Sequence, residues 1–276
     1  MKRMLWILLA VIALVSTYAC TSKAKAPKML VLYYSQTGNT KVVADEIVAR
    51  LGADAEEILP VVPYDGSYQE TIQRSARERE EGLIPDIQPL KSDLSQYDII
   101  FLGYPIWFGT YAPPVISLLD QVNLNGKKVV PFCTFGSGGL DSSIKDLTAK
   151  FPEADILPGY GVRAARLKAV PDEVDRFLKT YGYLEGEFTK LEDFPAPHAV
   201  TEEESAIFDA ALGTYPMYSA RATEVAARNI PGGKEYLFTA EDKPREGAPL
   251  PPTPGKMKVY VTVLDGEAPE FTQVVR

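Results

Sequence analysis

The chain has 276 residues and a mass of 30.4 kDa, with 46% hydrophobic and 24% charged residues; this excludes a long disordered polyampholyte and is enough for a core in one large or two modest domains. With 29 Lys plus Arg against 37 Asp plus Glu the net charge is −8, which offers no positive field for general nucleic-acid binding. Cys20 and Cys133 are the only cysteines and His198 the only histidine, so a disulfide framework and metal centres built from several histidines are also excluded.

Residues 4–15, MLWILLAVIALV, follow Met1-Lys2-Arg3 and lead through Ser16, Thr17 and Ala19 to Cys20. A basic start, a short apolar section and small residues read as a secretory signal, since a membrane span needs about 20 apolar residues. A buried amino-terminal helix is the alternative. The Ala19-Cys20 junction resembles that of a bacterial lipoprotein, although Thr17 and Tyr18 depart from the usual aliphatic-then-small pattern. The expectation is a signal segment at 1–19, lipidation at Cys20 and a tether at 20–27, giving an exported protein attached to an extracytoplasmic membrane face.

MLVLYYS at 29–35 reads as a buried strand, and Asn39 to Leu51 as a helix with Val43, Ala44, Ile47, Val48 and Leu51 on one face and Gly52 as its stop. A short strand at Ala55 to Leu59 and an exposed charged helix at Tyr68 to Glu80 follow. Next come a strand at Asp98 to Tyr104, a helix opened by Pro113 and running to Leu119, a strand at Lys128 to Thr134 and a helix at Asp141 to Lys150. Ala154 to Leu157 supplies a final short strand, and Pro171 to Lys179 a helix with Val174, Phe177 and Leu178 on one side. This alternation predicts an α/β domain over 28–181, with a parallel sheet covered on both faces.

A Pro-containing linker at 182–200 precedes a region, 201–276, that reads as a small α+β domain or a packed extension. Thr201 to Glu204 predicts a capped helix that turns Ile207, Phe208 and Ala211 inward, and Ala220 to Asn229 is helix-compatible. Residues 235–240 and 257–264 read as strands, the second alternating Met257, Val259, Val261 and Val263 with more polar residues; a last strand lies around Phe271 to Val275. PREGAPLPPTPG supplies a breaker-rich loop between the first two.

The sharpest feature is Ser35-Gln36-Thr37-Gly38-Asn39-Thr40 between the first strand and first helix. Its hydroxyls, the close approach allowed by Gly38 and the N–H groups of a helix start suit a phosphate. It lacks the lysine and glycine spacing of an ATP-binding loop. A merely well-capped helix would use one or two of the same residues.

YYSQTGNT at 33–40, GYPIWFGTYAPP at 103–114 and TFGSGG at 134–139 together resemble the flavodoxin family, and its bacterial flavodoxin-like lipoprotein branch in particular. The resemblance covers 28–181 and leaves 182–276 unexplained. It implies a doubly wound parallel five-strand sheet in the order 2-1-3-4-5, carrying non-covalent FMN at the carboxyl ends of its strands, with the carboxy-terminal α+β extension added.

Carried onto this chain, the phosphate loop is Ser35 to Thr40, with Ser35, Thr37, Asn39 and Thr40 as the direct polar contacts. The flavin-facing loop is Pro105, Ile106, Trp107, Phe108, Gly109 and Thr110; Trp107 is the aromatic neighbour of the ring, and backbone groups near Ile106, Phe108 and Gly109 address it. Thr134, Phe135, Gly136, Ser137, Gly138 and Gly139 form the next flavin loop, whose backbone donors recognise the pyrimidine edge. Tyr111 shields the flavin edge or packs the following helix. No catalytic residue and no metal ligand is assigned: Asp141 and Asp146 read as helix-surface or capping residues, Cys133 as a buried strand residue and His198 as exposed. The resulting expectation is FMN-dependent electron transfer to redox proteins. FMN-dependent reduction of quinones or nitroaromatics and a non-catalytic interaction protein are the alternatives. All three loops precede residue 182, so the tail is expected to adjust partner access rather than build the phosphate site.

Overall fold

The computed structural model describes residues 26–213, 215, 219–243 and 255–276; the signal segment, Cys20, nearly all of the tether and most of the PREGAPLPPTPG loop lie outside them. Strands β1 (Met29–Tyr33), β2 (Asp54–Glu57), β3 (Ile99–Trp107), β5 (Lys128–Phe135), β6 (Asp155–Ile156) and β7 (Tyr160–Arg163) make a parallel sheet in the order β2-β1-β3-β5, with β6 and β7 sharing the edge beyond β5. The expected order is met. The single short final strand is corrected to two segments, because Pro158 has no N–H to continue the ladder and the chain resumes pairing at Tyr160.

The central strands are continuous apolar runs because both sheet faces are covered. Leu30, Leu32, Ile100 and Leu102 point to one face, where α3 (Pro113–Gln121) and α4 (Leu140–Lys150) contribute Val115, Leu118 and Leu147. Val31, Phe101, Val130 and Phe132 point to the other, against Val43, Ala44 and Ile47 of α1 (Asn39–Leu51) and Val174, Phe177 and Leu178 of α5 (Val170–Thr180). Each large aliphatic side chain fully buried in these layers contributes about 1.5–3 kcal/mol. Helix α2 (Tyr68–Glu81) buries only Ser75 and is started by a capping box in which Ser67 and Glu70 take each other's backbone N–H groups.

The tail forms a second, antiparallel sheet in the order β12-β11-β10-β9-β8, from β8 (His198–Ala199), β9 (Ala220–Ile230), β10 (Gly233–Asp242), β11 (Lys256–Leu264) and β12 (Glu270–Val275). Helix α6 (Glu202–Gly213), capped by Thr201 and Glu204 as expected, lays Phe208, Ala211 and Leu212 on it. The helix reading of Ala220 to Asn229 is wrong: the segment is β9. Its Ala, Arg and Glu residues favour helix locally, but pairing along β10 and burial of Val225 and Ala226 override that preference. His198 is exposed and bonds Glu204, whereas Cys133 is wholly buried and burial pushes its thiol up. No helix of the described residues is long and apolar enough to cross a membrane.

Candidate functional site

Three segments meet at the carboxyl end of the parallel sheet. Beyond β1, Tyr34 continues the sheet by donating its N–H to Gly103 O at 3.0 Å, and its hydroxyl donates to Gln36 Oε1 at 2.6 Å. Gln36 Nε2 in turn donates to Tyr64 O, so this side chain clips the loop to the segment after β2. Ser35 Oγ accepts from Lys41 N at 3.1 Å, and Thr40 is buried with its hydroxyl bonded to that of Thr134 at 2.8 Å.

Gly38 holds the N-cap position of α1 in the left-handed conformation, with no side-chain cap. The backbone N–H groups of Thr37 through Thr40 and the side chains of Thr37 and Asn39 have no acceptor or partner among the described residues. That set of open donors at a helix start is complementary to a phosphate. Beside it lies a cavity of about 470 Å³ lined by residues including Tyr34, Thr37, Glu57 and Tyr64; burial raises the Glu57 carboxyl and holds both phenols in their neutral form.

The second segment, read from the sequence as a flavin-facing loop, is a hairpin. β3 runs on to Trp107, turns at Phe108 and Gly109, and returns as β4 (Thr110–Tyr111), pairing Trp107 with Thr110 and Ile106 with Tyr111. Phe108 and Gly109 both have positive φ, 51° and 85°, the conformation that a two-residue turn of this twist demands. Ser142 and Asp146 of α4 hold the turn, bonding Gly109 O and Thr110 Oγ1 at 2.6 Å each. Trp107 stands edge-on to Tyr34 and Tyr64, with ring centroids 6.1 and 5.2 Å away. Tyr111 packs in the core, 5.7 Å from Tyr104, and burial pushes its phenol up to about 12.

The third segment, Thr134 to Gly139, begins in β5 and leaves the sheet at Gly136. No acceptor among the described residues takes the backbone N–H groups of Ser137, Gly138 and Gly139, the donor pattern that a heterocycle edge requires. Gly136 to Gly139 line a cavity of about 530 Å³ together with Ile106, Phe108 and residues of β12.

The family model described as "Flavodoxin" matches residues 28–176, more than half of the chain. The chain belongs to the flavodoxin family. Among solved structures, the flavodoxin domain is similar to a candidate flavoprotein from Bacteroides eggerthii, 30% identical over 54% of this chain and 96% of that one, with a TM-score of 0.46. A candidate flavoprotein from Bacteroides uniformis is 28% identical over 55% and 99%, TM-score 0.48, and a Lactobacillus acidophilus flavoprotein in complex with FMN is 25% identical over 54% and 97%, TM-score 0.46.

Within this flavodoxin domain the fold brings all three sequence-derived segments to one edge, but it divides their residues by task. Thr37, Gly38 and Asn39 face outward with open donors; Ser35, Gln36 and Thr40 fasten the loop. Sequence reasoning did not find Tyr34 and Tyr64, the ring partners of Trp107, nor Arg163, whose Nε donates to Gly136 O at 2.8 Å. VPYDGS at 62–67, a turn-rich segment holding Tyr64, was the available signal for the second of these. For Arg163 there was none, because its partner lies 27 residues away across a turn that the sequence does not specify.

Proposed function

We propose that this protein is an exported FMN-dependent electron carrier. The observation that carries the reading is the Ser35–Thr40 loop, which in a chain of this family leaves a run of backbone N–H groups, Thr37 Oγ1 and the Asn39 side chain without internal partners. The cofactor is FMN: the donors of Thr37 to Thr40 would hold its phosphate, and the Trp107–Thr110 hairpin and the Gly136–Gly139 loop would receive its ring. Bound there, FMN supplies reversible one- and two-electron chemistry.

The protein's own residues bind, orient and shield. Gln36 and Thr40 hold the phosphate loop in place, the turn at Phe108 and Gly109 presents apolar surface to the ring, and the third loop offers N–H groups to its polar edge. The phenols of Tyr34, Tyr64 and Tyr111 stay protonated and provide no general base. Acceptors are other redox proteins, and the mature chain begins at a lipid-modified Cys20 on an extracytoplasmic membrane face.

Purified protein should show a flavin spectrum and release a cofactor with the mass of FMN. After anaerobic reduction, stopped-flow mixing with redox proteins should give fast transfer, with negligible saturable turnover of quinones. Efficient quinone turnover with a nicotinamide donor replaces the carrier by a reductase, and failure to bind FMN removes both. Intact mass of the membrane-extracted protein tests the anchor: a chain retaining residues 1–19 without lipid rejects export and lipidation together.

A further inference from the structure

The third loop is held from outside the flavodoxin domain. Val274 of β12 donates its N–H to Ser137 O at 2.6 Å, and the Val274 carbonyl sits 2.1 Å from the place where a Cβ on Gly138 would lie. Gly138 has no positive φ, so its backbone is one that any residue could adopt; the neighbouring strand is what excludes a side chain. A second tie runs through Arg163, at the end of β7. Its Nε donates to Gly136 O at 2.8 Å and its Nη1 to Phe271 O at 2.7 Å, while the guanidinium lies 4.4 Å from the Phe271 ring centroid.

Two of the loop's carbonyls are therefore occupied on the side of the tail, and the N–H groups of Ser137, Gly138 and Gly139 are left without internal acceptors. The contact has a firm base. Arg166, 6% exposed, bonds Glu270 and Glu173 at 2.9 Å each, and Lys168 pairs with Glu267. β12 is the edge strand of its sheet, so one side of its backbone is available to an outside partner; the Gly136–Gly139 loop is that partner.

We propose that β12 is a working part of the flavin-ring site: Val274 directly, and Phe271 through Arg163, are positioning residues that fix the Gly136–Gly139 loop in the shape that receives the ring. The inference rests on the FMN reading and changes its boundary, since the phosphate site belongs to 28–181 and the ring site does not. It also gives Gly138 a reason unrelated to the cofactor.

The test is a double-mutant cycle on the whole protein, read as the Kd for FMN from quenching of flavin fluorescence, with thermal unfolding followed in parallel. Ending the chain after Gln273 removes the Val274 contacts, and Val274→Pro removes the N–H donor on the edge turned away from β11 together with part of the packing of the buried Val274 side chain, a loss that the parallel unfolding curve reads. Loss of a fixed loop conformation should raise Kd about tenfold in the shortened chain and about threefold in V274P. Gly138→Ala should cost about tenfold or more in the full chain, yet less than about twofold when added to the shortened chain, because the obstructing carbonyl is gone. Wild-type Kd in both the shortened chain and V274P, or an equal cost of G138A in both backgrounds, overturns the inference alone. A wild-type protein with no FMN affinity overturns the cofactor reading and this inference with it.

Discussion

Thr40 and Thr134 share a buried hydrogen bond, Oγ1 to Oγ1 at 2.8 Å, that fastens the first turn of α1 to the end of β5. Thr37, three residues earlier, is exposed and its hydroxyl has no internal partner. The two threonines should therefore respond differently to substitution. Thr40→Val leaves the Thr134 hydroxyl buried without a partner and should destabilise the protein by about 1–3 kcal/mol. Thr37→Ala should stay within about 0.5 kcal/mol of wild type while weakening FMN more than riboflavin, which lacks the phosphate. Denaturant titration and paired flavin titrations check both expectations; equal loss of FMN and riboflavin in T37A would remove Thr37 from the phosphate site.

Trp107 lies edge-on to two tyrosines whose hydroxyls are engaged by Gln36 and Glu78. Trp107→Ala removes two aromatic edge contacts, each worth about 0.5–1.5 kcal/mol beyond area burial. The expected result is a folded protein, less stable by about 1–3 kcal/mol, whose bound flavin has an altered visible spectrum. A spectrum identical to that of wild-type holoprotein would place Trp107 away from the ring.

The central strands β1, β3 and β5 were legible because they are apolar runs bounded by turn residues, and the three site segments because glycine and hydroxyl residues sit where strands pass into helices. Other features were not, beyond the split of the last parallel strand and the partners Tyr34, Tyr64 and Arg163. The hairpin at Trp107–Thr110 was hidden because its turn contains Phe108, where asparagine or glycine signals this conformation. β9 was hidden because Ala, Arg and Glu carry helix preference and only the pairing with β10 reverses it. The bond from Val274 to Ser137 joins residues 137 positions apart in sequence, and the hydrophobic pattern of β12 reports only which face meets α6, not what its free edge meets.

Asp242 ties the carboxy-terminal residue to β10, accepting from Arg276 Nη2 at 2.8 Å and from Gly255 N at 3.0 Å. The Arg276 hydrogen bond holds its carboxyl below the usual aspartate value. A carboxylate whose pKa is lower folded than unfolded adds stability above the unfolded value, near pH 4, and loses it as pH falls through the folded value. Asp242→Asn should thus lower stability at neutral pH and flatten the acid limb of the stability profile. Parallel profiles for wild type and D242N, differing by a constant down to the lowest pH, would show that Asp242 does not contribute through its charge.

Phe108 occupies the first position of the two-residue turn at φ 51°, with its side chain 49% exposed and the Arg79 guanidinium 5.5 Å from its ring. A left-handed conformation costs a residue with a Cβ roughly 1–2 kcal/mol, and asparagine before glycine is the preferred pair in such a turn. Phe108→Asn forfeits the Arg79 contact, about 0.5 kcal/mol at an exposed site, so relief of strain wins and the net gain should be about 1 kcal/mol. For a chain of this size that is an increase in Tm of roughly 2–4 °C. If the proposed ring site is right, an exposed aromatic at the tip of the hairpin offers the flavin an apolar edge worth about 0.5–1.5 kcal/mol, so F108N should bind FMN about 3–10-fold more weakly. Calorimetry on the apoprotein reads the first effect and flavin titration the second. A Tm unchanged or lowered by the substitution refutes stored strain at the turn; a raised Tm with undiminished FMN affinity keeps the strain but removes Phe108 from the ring site.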